Sequence, residues 1–93
     1  MKIESKESFN LRCKLVREAI NLRKNYYGCI SVPEMARCLK INNSSIYQFA
    51  RGFNISPQRL ELLINFFKEN EPVRLELAAE RLGMKKQDIM NKI

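Results

Sequence analysis

The chain has 93 residues, 45% of them hydrophobic, and a formal charge of +7 from 17 basic and 10 acidic side chains. This length predicts one small globular domain, residues 1–93, whose core is marginal unless it is tightly packed or shared with a second subunit. No apolar run is long enough to cross a bilayer and the N-terminus lacks the apolar stretch of a signal peptide, so we expect a cytoplasmic protein with no membrane partner.

The positive charge is concentrated around the first predicted helix, residues 8–27, which ends before Gly28. Residues 1–30 hold seven basic and three acidic side chains. Apolar residues at helical spacing form one stripe of this helix: Leu11, Leu15, Ala19, Leu22 and Tyr26. Lys14, Arg17 and Lys24 lie on another side, and such a basic stripe favours a polyanionic partner. A solvated helix face explains the same stripe equally well.

Residues 31–52 predict two short helices around a tight turn. Ser31 and Glu34 form a capping box that begins the first helix, and Asn42 or Asn43 caps the second. Apolar residues on facing sides build a shared core: Met35, Ala36, Leu39, Ile41, Ile46 and Phe49. The second helix also has a polar face, formed by Asn43, Ser44, Tyr47, Gln48 and Arg51. A polar face of this composition indicates a binding surface.

Residues 56–69 predict a supporting helix that begins at Ser56-Pro57. Its core stripe consists of Leu60, Leu63, Ile64 and Phe67. Leu62 and Phe66 form a second apolar ridge on the other side, which is too large to stay exposed on a monomer. Either the C-terminal segment or a second subunit covers this ridge. We expect a homodimer with the following interface residues: Leu62, Phe66, Ile89 and Ile93.

The C-terminal residues 72–93 repeat an earlier pattern. Residues 79–89 match the first helix and turn of the earlier pair in their Ala, Leu, turn hydrophobe and Ile, with a Gly at the turn. One interpretation is a second helix-turn-helix that binds DNA through residues 85–87. Because only four residues follow the repeat, too few for a supporting helix, we instead expect two short helices, at 73–82 and 86–93, that cover the core.

Residues 31–67 resemble the phage-repressor-like (XRE-type) helix-turn-helix DNA-binding domains. The resemblance is carried by Met35-Ala36, Leu39, Ile41-Asn42-Asn43-Ser44-Ser45-Ile46, Phe49 and Arg51-Gly52. It implies an all-α, lambda-repressor-like five-helix bundle. The family usually has Gly where this chain has Lys40, and a non-Gly residue in a left-handed turn costs about 1 kcal/mol, so we expect a distorted turn. Val32 stands where the family often has a Gln that binds phosphate.

The resemblance implies a sequence-specific, repressor-like transcriptional regulator of a bacterial or phage type, with double-stranded DNA as its partner. The implied base-reading residues are Asn43, Ser44, Tyr47 and Gln48, and the implied phosphate-binding residues are Lys14, Arg17, Lys24, Lys40 and Arg51. Asn and Gln suit adenine, which predicts a weak preference for A·T-containing sites, and Arg51 has guanine as an alternative target. Small members of the family are often dimers on two-fold sites.

Catalytic, metal and cofactor chemistry is not indicated by the composition. The chain has no His, which removes the commonest general base and metal ligand. Cys13, Cys29 and Cys38 are too far apart for a zinc knuckle and odd in number for a disulfide framework. We therefore expect no enzyme activity, no metal, no cofactor and no small-molecule ligand.

Two other functions fit the same pattern. The fold also serves protein-binding adaptors, such as a mobile-element inhibitor or an antitoxin, and the polar helix face would then be a protein interface. RNA binding is a third class, for which the chain offers no aromatic platform on a sheet and no family loop. A sequence preference in a DNA-binding selection distinguishes the first function from the other two.

Overall fold

Five helices contain most of the residues that the computed structural model describes, which are residues 6–22 and 30–84. In chain order they are α1 (Lys6–Asn21), α2 (Val32–Leu39), α3 (Asn43–Ala50), α4 (Pro57–Asn70) and α5 (Pro72–Arg81). This architecture confirms the predicted all-α bundle. None of these described helices combines the length and the apolar character needed to span a membrane.

The helix starts follow the capping signals in the sequence. Ser31 precedes α2, and its hydroxyl oxygen accepts the amide N–H of Glu34 at 3.4 Å. Ser56 precedes α4, and its hydroxyl oxygen accepts the amide N–H of Arg59 at 3.3 Å. Each cap satisfies an amide that has no partner within its own helix. The predicted continuation of α1 to residue 27 and the helix expected at 86–93 lie outside the described residues.

A single core cluster draws on all five helices. Its largest fully buried side chains are Phe49, Phe67, Leu15, Ile20, Met35, Ile46, Leu60, Leu63, Ile64, Val16 and Val32. Most members of the apolar stripes expected from the sequence are therefore buried, whereas Leu11 and Leu39 are half-buried and Tyr26 lies outside the described residues. Ile41, at the corner between α2 and α3, is half-buried against this cluster. The short α2 and α3 consequently share their packing with α1 and α4.

The apolar ridge expected on α4 is largely internal. Phe66 is 6% exposed within the single chain, and its ring meets that of Phe67 edge to face with centroids 6.1 Å apart. The side chain of Phe66 is therefore covered within its own chain, which favours internal packing of this residue over a dimer contact. Leu62 is 43% exposed, so its side chain remains accessible to a second subunit. Ile89 and Ile93, the other expected interface residues, lie outside the described residues.

A buried arginine that sequence reasoning missed fixes α5 to the C-terminal end of α1. Arg74 is 4% exposed. Its Nε and Nη2 donate to the carbonyl oxygen of Ala19 at 3.1 and 2.9 Å, and Nη2 also donates to that of Ile20 at 3.3 Å. Its Nη1 donates to Glu71 Oε2 at 2.6 Å and to the carbonyl oxygen of Ile30 at 3.1 Å. All five guanidinium donors are thus used, as burial of this group requires.

Candidate nucleic-acid interface

The turn between α2 and α3 is built on Lys40. This residue has φ 56° and ψ 39°, close to the ideal left-handed conformation. The amide N–H of Ile41 reaches back to the carbonyl oxygen of Ala36 at 3.0 Å, which closes the turn. The distortion expected from a non-Gly residue is absent from this turn, and Lys40 instead carries the conformational cost itself. Its side chain is exposed.

The start of α3 shows which asparagine caps the helix. The side-chain oxygen of Asn42 accepts the amide N–H of Ser44 at 3.0 Å, and Asn42 has the extended backbone of a cap residue. Asn43 is therefore the first residue of the helix rather than its cap. Its side chain is exposed. Of the two alternatives, this arrangement leaves Asn43 available to a partner.

The polar face of α3 is accessible at most of its positions. Asn43, Ser44, Gln48 and Arg51 are exposed. Tyr47 is half-buried and packs against the hydrophobic core cluster, so part of its ring serves the fold. The structure brings all the expected base-reading residues to one helix, with Tyr47 the least accessible of them.

The segment that contains α3 carries charge of one sign. No acidic residue occurs from Met35 through Leu60, whereas this segment holds four basic ones: Arg37, Lys40, Arg51 and Arg59. All four are exposed. Residues 61–84 have the opposite balance, with five acidic and three basic side chains. Sequence reasoning missed Arg37 and Arg59, although the long interval without Asp or Glu signals them.

Two of the three cations in residues 61–84 pair with carboxylates. Arg74 pairs with Glu71 at 2.6 Å, and Arg81 pairs with Glu18 at 3.2 Å. On α1, Arg12 pairs with Glu61 of α4. Among the described residues, the cations of the segment from Met35 through Leu60 have no carboxylate within that segment, and such positive charge can attract a polyanion.

Arg17 does not belong to an exposed basic stripe as expected. Its side chain is half-buried, and Nε donates to the carbonyl oxygen of Phe49 at 2.7 Å. The guanidinium carbon lies 4.8 Å from the centroid of the Phe49 ring, a cation–π distance. These contacts engage part of the Arg17 guanidinium within the chain, and its expected role in phosphate binding stays a prediction. Lys24, another member of the stripe, lies outside the described residues.

Lys14 is exposed on α1, as expected for a member of the basic stripe. It lines a depression of about 290 Å³ between α1 and the loop after α3. Asn10 contributes to the same depression from α1, and Gly52 through Ile55 form the opposite wall. Lys14 therefore lies beside the exit of α3. Phe53, in that wall, is 63% exposed.

Similarity to known proteins does not identify this surface. Comparisons with protein-family models, curated proteins and solved structures give no match. The resemblance to phage-repressor-like domains therefore rests on the residues between 31 and 67. Within residues 6–22 and 30–84, no group of three or more Cys, Asp or Glu side chains is placed to hold a metal ion.

Proposed function

We propose that this chain is a sequence-specific DNA-binding transcriptional regulator of the repressor-like type, similar to phage-repressor-like helix-turn-helix domains. One observation carries the proposal: the exposed polar face of α3 lies within a 26-residue segment that has four exposed cations and no carboxylate. A polar reading surface within a positively charged segment suits a duplex, whose base edges are polar and whose backbone is anionic.

In this proposal α3 enters the major groove. Its eight residues give a rod about 12 Å long, comparable to the width of that groove. Asn43 and Ser44 lie at the end that approaches the bases first, and Gln48 follows one turn later. The amides of Asn43 and Gln48 can each bond N6 and N7 of adenine together. Arg51, at the exit of the helix, reaches a phosphate or a guanine.

The surrounding cations supply affinity that does not depend on sequence. Lys40 at the turn and Lys14 beside the exit of α3 lie near opposite ends of the reading helix. Arg37 and Arg59 extend the positive surface. Each Lys or Arg that neutralises a phosphate releases counterions, which makes the affinity fall with salt concentration.

The decisive experiment is a binding selection on random duplexes with the full chain, followed by Gln48→Ala on the selected site. We expect the substitution to weaken the preferred site by about 1 to 3 kcal/mol, because a bidentate base contact contributes that much discrimination. Binding to random DNA should change little. Asn65→Ala is the matched control, since it removes an exposed amide from α4. A wild-type chain without any sequence preference would rule out the proposal.

A protein partner on the same face is the second candidate. The observation that favours it is Phe53, which is 63% exposed at the exit of α3 and offers an aromatic anchor of the kind enriched at protein interfaces. In that case Gln48→Ala and Phe53→Ala would disrupt a protein complex without changing DNA retention. The RNA-binding alternative gains no support from the described helices.

A further inference from the structure

Two side chains of α1 hold the C-terminal end of α3, and we call this pair the α1 clamp. Arg17 donates to the carbonyl oxygen of Phe49 at 2.7 Å and, through Nη2, to that of Phe53 at 3.5 Å. One helical turn later, Asn21 Nδ2 donates to the carbonyl oxygen of Ala50 at 3.3 Å. Carbonyls at a helix end lack amide partners within the helix, and a cation there also interacts favourably with the helix dipole.

The clamp acts at the C-terminal end of α3, where the amides of Gly52 and Phe53 also bond carbonyls of the helix. The N-terminal end of α3 is fixed by the Asn42 cap and by the turn at Lys40. If the other end were released, a tilt of about 10° around Asn42 would move the end of a 12 Å rod by about 2 Å. Hydrogen bonds to base edges tolerate a range of only about 0.5 Å. Gln48, next to the clamped residues, would move the most, and Asn43 the least.

We propose that the α1 clamp sets the angle of α3 and thereby determines how strongly Gln48 discriminates between bases. This inference rests on the proposed DNA-binding function. It assigns Arg17 and Asn21 as positioning residues that touch no DNA. It also replaces the expectation that Arg17 binds phosphate. Loss of a positioning residue should lower discrimination between bases, whereas loss of a phosphate ligand should lower the salt dependence of binding.

The test measures affinity against salt concentration for the selected site and its single-base variants. Arg17→Met keeps an apolar stem over Phe49 and removes the donors. We expect it to lower discrimination about 5- to 150-fold at the base pair that Gln48→Ala identifies, which corresponds to loss of one bidentate contact. Discrimination at the base pair read by Asn43 should change less. The salt slope, which is the slope of log affinity against log salt concentration, should stay the same.

A double-substitution cycle adds a result that simple destabilisation cannot produce. Arg17→Met combined with Gln48→Ala should discriminate no worse than Gln48→Ala alone, because both act on one contact. Lys14→Met is the matched control on the same helix. It should weaken all duplexes alike and reduce the salt slope by about 0.9. A similar loss of slope in Arg17→Met, with discrimination intact, would make Arg17 a phosphate ligand and overturn the proposal.

Folding is checked in the same samples by thermal unfolding. If Arg17→Met does not fold, Arg17→Lys and Asn21→Ala decide the matter, since each removes only part of the clamp. Both should reduce discrimination at the base pair of Gln48, and unchanged discrimination in both would reject the clamp.

Amide exchange separates failure of the clamp from failure of the proposed function. The amides of Gly52 and Phe53 donate to the carbonyls of Phe49 and Gln48 at 3.0 Å each, directly beside the clamp. In Asn21→Ala and Arg17→Lys these two amides should exchange faster than in the wild type, while amides in the middle of α4 stay protected. Unchanged exchange rejects the clamp even if the wild type binds a preferred site. Faster exchange in a chain without DNA preference supports the clamp and rejects the proposed function.

Discussion

Lys40 has a left-handed backbone conformation that is strained for a residue with a side chain and that glycine would adopt without strain. Among the described residues it is the one non-Gly position with a positive φ, and a left-handed conformation costs a residue with a side chain roughly 1 kcal/mol. A cation at this turn also lies next to the reading helix. The residue therefore combines a cost in stability with a contribution to the positive surface.

Replacing Lys40 separates these two effects. Lys40→Gly should raise the free energy of unfolding by up to about 1 kcal/mol, because relief of strain exceeds the added flexibility of the unfolded chain. Chemical denaturation measures this change. Lys40→Asn is the control, since Asn tolerates the left-handed region but has no charge. Both variants should lose about 0.9 from the salt slope of DNA binding. A Lys40→Gly protein less stable than the wild type would contradict the strain argument.

Arg74 is the residue whose loss should damage the fold most. Arg74→Met leaves the Glu71 carboxylate without its partner and the end of α1 without its donors. Breaking a buried pair in this way costs about 3 to 5 kcal/mol, which is a large part of the stability of a small domain. Arg81→Met is the matched control, because the Arg81 side chain is 61% exposed in its pair with Glu18. It should cost no more than about 1 kcal/mol. Similar losses for the two variants would mean that burial does not strengthen the Arg74 pair.

At the level of the helices, the sequence predicts those features that depend on interactions between residues close together in the chain. The caps at Ser31 and Ser56 and the apolar periods of α2 to α4 follow from rules that operate within a few residues, and the structure confirms them. Arg17 and Arg74 bond carbonyls more than 30 positions away in the chain. No local pattern marks such partners, so helical spacing alone predicts a solvent-facing Arg17, which the structure shows half-buried. The burial of Phe66 likewise depends on packing against distant residues.

The segment without acidic residues, together with Lys14 beside the exit of α3, predicts which surface approaches DNA. Replacing Lys14 and Arg51 together with Ala should reduce the slope of log affinity against log salt by about 1.8, because each phosphate contact contributes about 0.9. The preference among sites should change little unless Arg51 reads guanine. Arg81→Ala removes a cation from the other half of the chain and should leave the slope unchanged. A slope that responds equally to Arg81 would mean that overall charge, rather than this surface, governs binding.

At the scale of the whole molecule, the exposed large apolar side chains of the described residues other than Phe53 lie on α4, on α5 or directly after α5. Leu62 on α4 is 43% exposed, and on α5 Val73 is 60% exposed. Phe66 no longer contributes to such a surface, which leaves less apolar area for a second subunit than the sequence indicated. The chain measures 31 Å in its longest dimension, somewhat less than the 34 to 36 Å between the centres of two half-sites one DNA turn apart. A two-fold operator would thus need two copies of the chain.

Leu62→Gln tests whether those two copies meet through α4. If the dimer forms there, the wild type should sediment as a dimer at tens of micromolar, on the order of ordinary dissociation constants. The variant should then shift toward the monomer. Its thermal stability as a monomer should change little, because the side chain is already 43% exposed. Binding to a single half-site should be preserved, whereas binding to the two-fold site should weaken. A wild type that stays monomeric in solution and binds both half-sites independently would show that Leu62 is an isolated surface residue, which is common on soluble proteins.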